Sequence, residues 1–161
     1  MSNNKHQGGW LIITTLLLAM VMSLFPMPDS WQAWRPSWLM LVLSFWVIAL
    51  PDRVGLLWAL VCGLLMDVLL NTSLGLHGFA LAITTFMLQI LYKRIRLFPY
   101  WKQGLSVAAI SSVYIAITFW LTKLTGKSQE SIAWQAILLN GILWPWLNMI
   151  LKQLSAYFRV R

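Results

Sequence analysis

The connections of this chain are too short to hold anything of their own. Six apolar stretches run roughly over Trp10–Phe25, Ser37–Leu50, Gly55–Leu70, Phe79–Tyr92, Gly104–Leu121 and Ile132–Leu151, and no gap between them exceeds about twelve residues. No soluble catalytic domain fits in such gaps, so whatever the chain does is done by packed apolar segments and their two ends. Of its 161 residues, 60% are hydrophobic and 10% are charged. A soluble domain of this size carries about a quarter charged residues and cannot hide this much apolar surface in one core. The expected class is therefore all-α: a polytopic membrane protein of about six transmembrane helices with short loops, forming a single integral membrane domain over residues 1–161. Eleven Trp agree, because amphipathic rings collect where hydrocarbon meets water.

Several stretches are shorter than the ~20 residues that cross a ~30 Å hydrocarbon core. The second and fourth could tilt, extend into their flanks, or turn back, so four or five crossings with a re-entrant segment is the alternative. The first stretch follows Lys5 and His6 as a secretory signal would. Ser23-Leu24-Phe25-Pro26-Met27-Pro28 offers no small-residue cleavage site, however, and it reads as an uncleaved first helix. The net charge is +8, spread over segment ends rather than gathered on one face, which orients a membrane chain and leaves no nucleic-acid footprint. In alternate connections, one side receives Lys5, Arg53, Lys93, Arg94, Arg96, Lys102, Lys152, Arg159 and Arg161, and the other Arg35, Lys123 and Lys127. Nine against three places both termini in the cytoplasm. Cys62, the single cysteine, lies inside an apolar run and reads as a small buried hydrophobe.

Few polar residues interrupt the stretches. Asp67 is the only carboxylate inside one, about a turn from the Asn71-Thr72-Ser73 turn. It either accepts hydrogen bonds from that turn or a neighbouring helix, or it is a proton, cation or partner site. The first reading expects Asp67→Asn to be well tolerated and Asp67→Leu to fail. Gly75 and Gly78 bracket His77, which could pair with Asp67 across the turn or simply face the interface. Gly104, Ala108, Ser112 and Ala116 recur every four residues and predict a seam where another helix approaches closely. Pro145 interrupts the last stretch between Trp144 and Trp146, with Asn140 and Asn148 near one face, predicting a kink or a docking face. In KRIRLFPYWKQ, residues 93–103, basic and aromatic side chains alternate, which suits anionic lipids or an acidic cytoplasmic partner. The tail beyond Lys152 places Leu154, Tyr157 and Phe158 on one side, as an interfacial helix would. No second intramembrane carboxylate, His cluster, phosphate loop or Ser/His/Asp set accompanies these residues, so no enzyme, metal site or cofactor is expected.

In their order these features resemble the rod shape-determining protein MreD family. The resemblance rests on Arg35-Pro36-Ser37-Trp38-Leu39, Ala49-Leu50-Pro51-Asp52-Arg53, Gly63 with Asp67, Leu74 and Gly75, and Asn140-Gly141-Ile142-Leu143-Trp144-Pro145-Trp146. It runs from about Gly8 to near the C-terminus. One departure is Asn71, where the family pattern has Gly; Asn tolerates the left-handed backbone better than most residues. The resemblance implies a non-catalytic scaffold of the bacterial inner membrane, supporting rod shape and lateral peptidoglycan synthesis in the elongation machinery. Implied partners are MreC and, in the wider complex, RodA with its transpeptidase partner and the MreB filaments. Topology similar to the substrate-capture subunits of energy-coupling-factor transporters supplies the rival: a small-molecule transporter with Asp67, Asn140 and the Pro145 kink lining one site. The charge asymmetry makes a prediction of its own. Reporter fusions after Arg161 and within Arg94–Lys102 should report cytoplasm, those near Trp31 and Lys127 periplasm, and a periplasmic C-terminus would contradict six crossings.

Overall fold

The computed structural model describes residues 9–26, 28–126 and 134–158. Lys5, Lys127, Arg159 and Arg161, used above to orient the chain, lie outside them. Among the described residues the chain is all-helical. Its six α-helices are α1 (Gly9–Leu24), α2 (Trp38–Ala49), α3 (Leu56–Leu69), α4 (Leu76–Leu97), α5 (Tyr100–Leu124) and α6 (Trp134–Tyr157), with a 3-10 helix over Asp29–Trp34.

Local chemistry explains the boundaries. Pro36 and Pro51 bracket α2, since proline cannot continue a helix and bends the residue before it away from helical geometry. Asn71 takes φ 52°, and its N–H bonds Val68 O at 3.2 Å while Thr72 N–H bonds Asp67 O at 3.0 Å. That pattern is a Schellman ending of α3 with Asn in the left-handed position usually held by Gly, so the departure from the family pattern at Asn71 keeps the turn. Phe98-Pro99 forms the sharp corner between α4 and α5, and Gly126 at φ 75° follows the end of α5.

Helix α2 is the centre of the bundle. All but its two terminal residues are buried, and it packs against α1, α4, α5 and α6. Its run is apolar on every side, as a helix buried all round must be. The most extensive remaining contacts pair α3 with α4 and α5 with α6. Twelve residues make α2 about 18 Å long, well short of a ~30 Å hydrocarbon core. Among the described residues only α4 and α5 are both long and apolar enough to cross a membrane; α1, α2 and α3 are shorter apolar helices. The fourth stretch, expected over 79–92, is thus one of the two long helices, and the second is the shortest. Helix α6 is comparably long but includes Gln135, Asn140, Asn148 and Lys152.

The outward faces are apolar: Leu18 and Val21 of α1, Leu57 and Val68 of α3, and Ile142 and Trp146 of α6 are all well exposed. The tryptophans are not uniformly interfacial. Trp10, Trp31, Trp101, Trp120 and Trp134 are exposed, but Trp46 and Trp144 are wholly buried, so composition alone overstated the interfacial role of these rings. Trp46 donates Nε1–H to Thr15 Oγ1 at 2.9 Å, joining α2 to α1. Cys62 is buried. The C-terminal aromatics close on the start of the chain, with Trp10 and Phe158 edge-to-face at 5.1 Å.

Candidate functional site

Two polar clusters lie inside this apolar frame, and the first is built on Asp67. Gly63, one turn earlier on the same face of α3, lets the backbones of α3 and α4 touch: a Cβ there would overlap Gly78 Cα. That close approach brings Asp67, fully buried, to the first turn of α4. Oδ1 accepts from Thr72 Oγ1–H at 2.9 Å and from the His77 backbone N–H at 2.9 Å, and shares a hydrogen bond with His77 Nδ1 at 2.7 Å. Oδ2 accepts from the N–H of Gly75 at 2.8 Å and of Gly78 at 3.4 Å. Gly75 is the N-cap of α4 at φ 94°, with no side-chain cap of its own. A carboxylate from the preceding helix therefore satisfies the orphan N–H groups of α4 and meets the positive end of its dipole. Tyr114 of α5 closes the site, its ring 6.4 Å from that of His77.

The second cluster joins α2, α5 and α6. Asn140, fully buried, accepts the Ser37 N–H at 3.1 Å and donates to Ser111 Oγ at 2.6 Å. Ser37 is the N-cap residue of α2, so α6 caps the N-terminal end of the central helix. At the other end, the Arg96 guanidinium of α4 donates to Ile48 O at 2.6 Å and Ala49 O at 2.7 Å, capping the last carbonyls of α2. Lower on the α5–α6 seam, Asn148 donates to Gln103 Oε1 at 2.8 Å, and Gln103 donates to Phe98 O at 2.9 Å.

Pro145 lies inside a continuous α6 and has no N–H for Gly141 O. That carbonyl faces Gly104, where a Cβ would come within 2.8 Å of it. The freed acceptor thus lies against the glycine Cα of α5, the kind of contact that lets helices pack closely in lipid. A Cβ on Gly141 would meet Ala108 Cβ at 3.0 Å. The small-residue stripe is therefore in tight contact at Gly104 and Ala108. Ser112 is half-buried and returns its hydroxyl to Ala109 O of its own helix at 2.6 Å; Ala116 is half-buried further along. Arg35, half-buried, and Pro36, buried, lead into the Asn140-capped end of α2.

The sequence model of the rod shape-determining protein MreD family matches residues 4–154. A curated relative, the rod shape-determining protein MreD of Haemophilus influenzae (strain ATCC 51907 / DSM 11121 / KW20 / Rd), is 31% identical over 146 residues, 89% of each chain. The chain belongs to the MreD family. No solved structure matches it.

The segments that carry the MreD resemblance are those that close the helix ends. Arg35–Leu39 opens α2 beneath Asn140, Gly63 with Asp67 and Gly75 builds the α3–α4 corner, and Asn140–Trp146 supplies both the cap and the freed carbonyl. Sequence reasoning singled out Asp67, Gly75, Gly104, Ala108, Asn140 and Pro145 but missed Ser111 as the partner of Asn140 and Gly141 as the contact of Gly104 and Ala108, as well as the roles of Gln103 toward Asn148 and of Arg96 toward the end of α2. Gly141, four residues before Pro145, was a readable signal, since that spacing names the carbonyl a proline frees.

The geometry also changes the expectation for Asp67→Asn. Both carboxylate oxygens accept backbone N–H groups, so whichever way an amide is turned, its NH2 meets donors. Each unpaired buried donor costs ~1–3 kcal/mol. Thermal stability of the purified protein should fall in the order wild type, Asp67→Asn, Asp67→Leu, with Asn already well below wild type. An Asn variant as stable as wild type would contradict the capping role.

Proposed function

We propose that this chain is a multi-pass, non-catalytic scaffold of the bacterial inner membrane, with both termini in the cytoplasm. In this reading it binds MreC through its membrane helices and, in the wider complex, supports RodA with its transpeptidase partner and the MreB filaments during lateral peptidoglycan synthesis. Family membership supplies the rod-shape role. The observation that carries the scaffold reading is the use made of the polar groups that join the helices. Asp67, Asn140 and Arg96 are all engaged in closing helix ends, while the outward faces are apolar.

A transporter would instead turn Asp67 and Asn140 into a common site. Here Asp67 closes the α3–α4 corner and Asn140 caps α2, each saturated by its own partners. The groove of about 350 Å³ between α1, α2 and α6 is lined almost wholly by apolar side chains, including Leu18, Val42, Trp146 and Leu147. A surface of this chemistry suits a partner's membrane helix better than a polar solute.

The test is recovery of MreC with the tagged protein from solubilised membranes, with photoreactive residues at Leu18 and Trp146. MreC should be recovered well above an unrelated multi-pass control and crosslinked through its membrane helix. Recovery no better than the control would overturn the scaffold reading, and recovery without these crosslinks would move the contact off the groove.

A further inference from the structure

The α4–α5 corner gathers positive charge that nothing in the described chain neutralises. Lys93 and Arg94 stand exposed at the end of α4 and Lys102 on the first turn of α5; α6 adds Lys152. Three of these cations rest on aromatic faces: Lys93 Nζ lies 5.9 Å from the Tyr92 ring, Lys102 Nζ 5.2 Å from Trp101 and Lys152 Nζ 4.8 Å from Tyr100. The rings position the ammonium groups without cancelling their charge. Arg96 differs, because its guanidinium is engaged by the α2 carbonyls. Among the described residues Asp67 and His77, at the opposite end of α4, form the one contact of a carboxylate with a basic side chain, and no described carboxylate pairs with Lys93, Arg94, Lys102 or Lys152.

Apolar side chains alternate with these cations. Leu97 is 85% exposed and Trp101 66%, so one surface offers both ammonium groups and hydrocarbon. An acidic protein partner would need the charge alone; a lipid carrying a phosphate and acyl chains needs both, in this alternation. The corner is also rigid. Only Phe98 and Pro99 separate two long helices, and Gln103 ties Phe98 O back to α5.

We infer that this corner binds anionic phospholipid headgroups, the phosphate between the lysines of α5 and α6 and the acyl chains against Leu97 and Trp101. On the topology proposed above it faces the cytoplasmic leaflet, but lipid selectivity can be measured without that topology, so the two readings fail separately. The experiment is native mass spectrometry of the full chain in detergent with equal phosphatidylglycerol and phosphatidylethanolamine. Phosphatidylglycerol should be retained in about twenty-fivefold excess, since Lys102 and Lys152 near a lipid surface each contribute roughly fivefold, and the excess should shrink as salt rises. In Lys102→Gln/Lys152→Gln it should fall to near parity, and in Lys102→Arg/Lys152→Arg it should persist. Should the Gln pair fail to fold, Lys93→Gln/Arg94→Gln should show a partial loss. Equal retention of both lipids by wild type would overturn the inference, as would an excess untouched by the Gln variants. Binding of poly-glutamate to the chain without any lipid preference would overturn it too, and would assign the corner to an acidic protein.

Discussion

Helix ends that stop inside apolar surroundings must be closed by side chains, and the rest of this fold is arranged around that requirement. Every α-helix leaves four N–H and four C=O groups without intrahelical partners, and hydrocarbon offers none. A helix that crosses the whole apolar layer delivers its ends to water. Helix α2, about 18 Å long against a ~30 Å core, is too short to deliver both of its ends to water. Asn140 of α6 and Arg96 of α4 reach its two ends, and Asp67 of α3 does the same for α4. Each cap comes from a different helix than the one it closes, so the caps also fix which helices lie side by side.

The close-packed seams exist to bring those caps within reach. Gly63 against Gly78 lets α3 approach α4 until a short Asp side chain spans the gap. Gly104 and Ala108 against Gly141 do the same for α5 and α6, placing Ser111 beside Asn140. The same carbonyl that Pro145 releases is covered by Gly104, so a proline that would weaken a solitary helix is accommodated at a helix crossing. The polar groups hold the bundle together, and its outer faces are left apolar.

Much of this was legible in the sequence. The stretches located the helices, and the spacing of Gly104 and Ala108 located a seam. Asp67 and His77, ten residues apart around a glycine-rich turn, were readable as a pair. Three things were not. The extension of α4 to 22 residues was hidden by Lys93, Arg94 and Arg96, which look like a loop until their surface position is known. Trp46 and Trp144 looked interfacial by type and are core by packing. Arg96 read as an orienting charge, because a contact 47 residues away with Ala49 O leaves no local pattern. Caps between distant helices are the part of such a fold that periodicity cannot reveal, since they depend on which helices meet.

Residue-resolved hydrogen–deuterium exchange at the Ser37 amide, in wild type and in Asn140→Leu, tests this account most directly. If Asn140 closes the N-terminal end of α2, the Ser37 N–H should exchange slowly in wild type. In the variant it should exchange at least about tenfold faster, the scale of one lost hydrogen bond of ~1.4 kcal/mol, while the amides of α6 stay protected. Equally fast exchange of Ser37 in both proteins would contradict it, and would mean that the centre of the bundle is held by apolar packing alone.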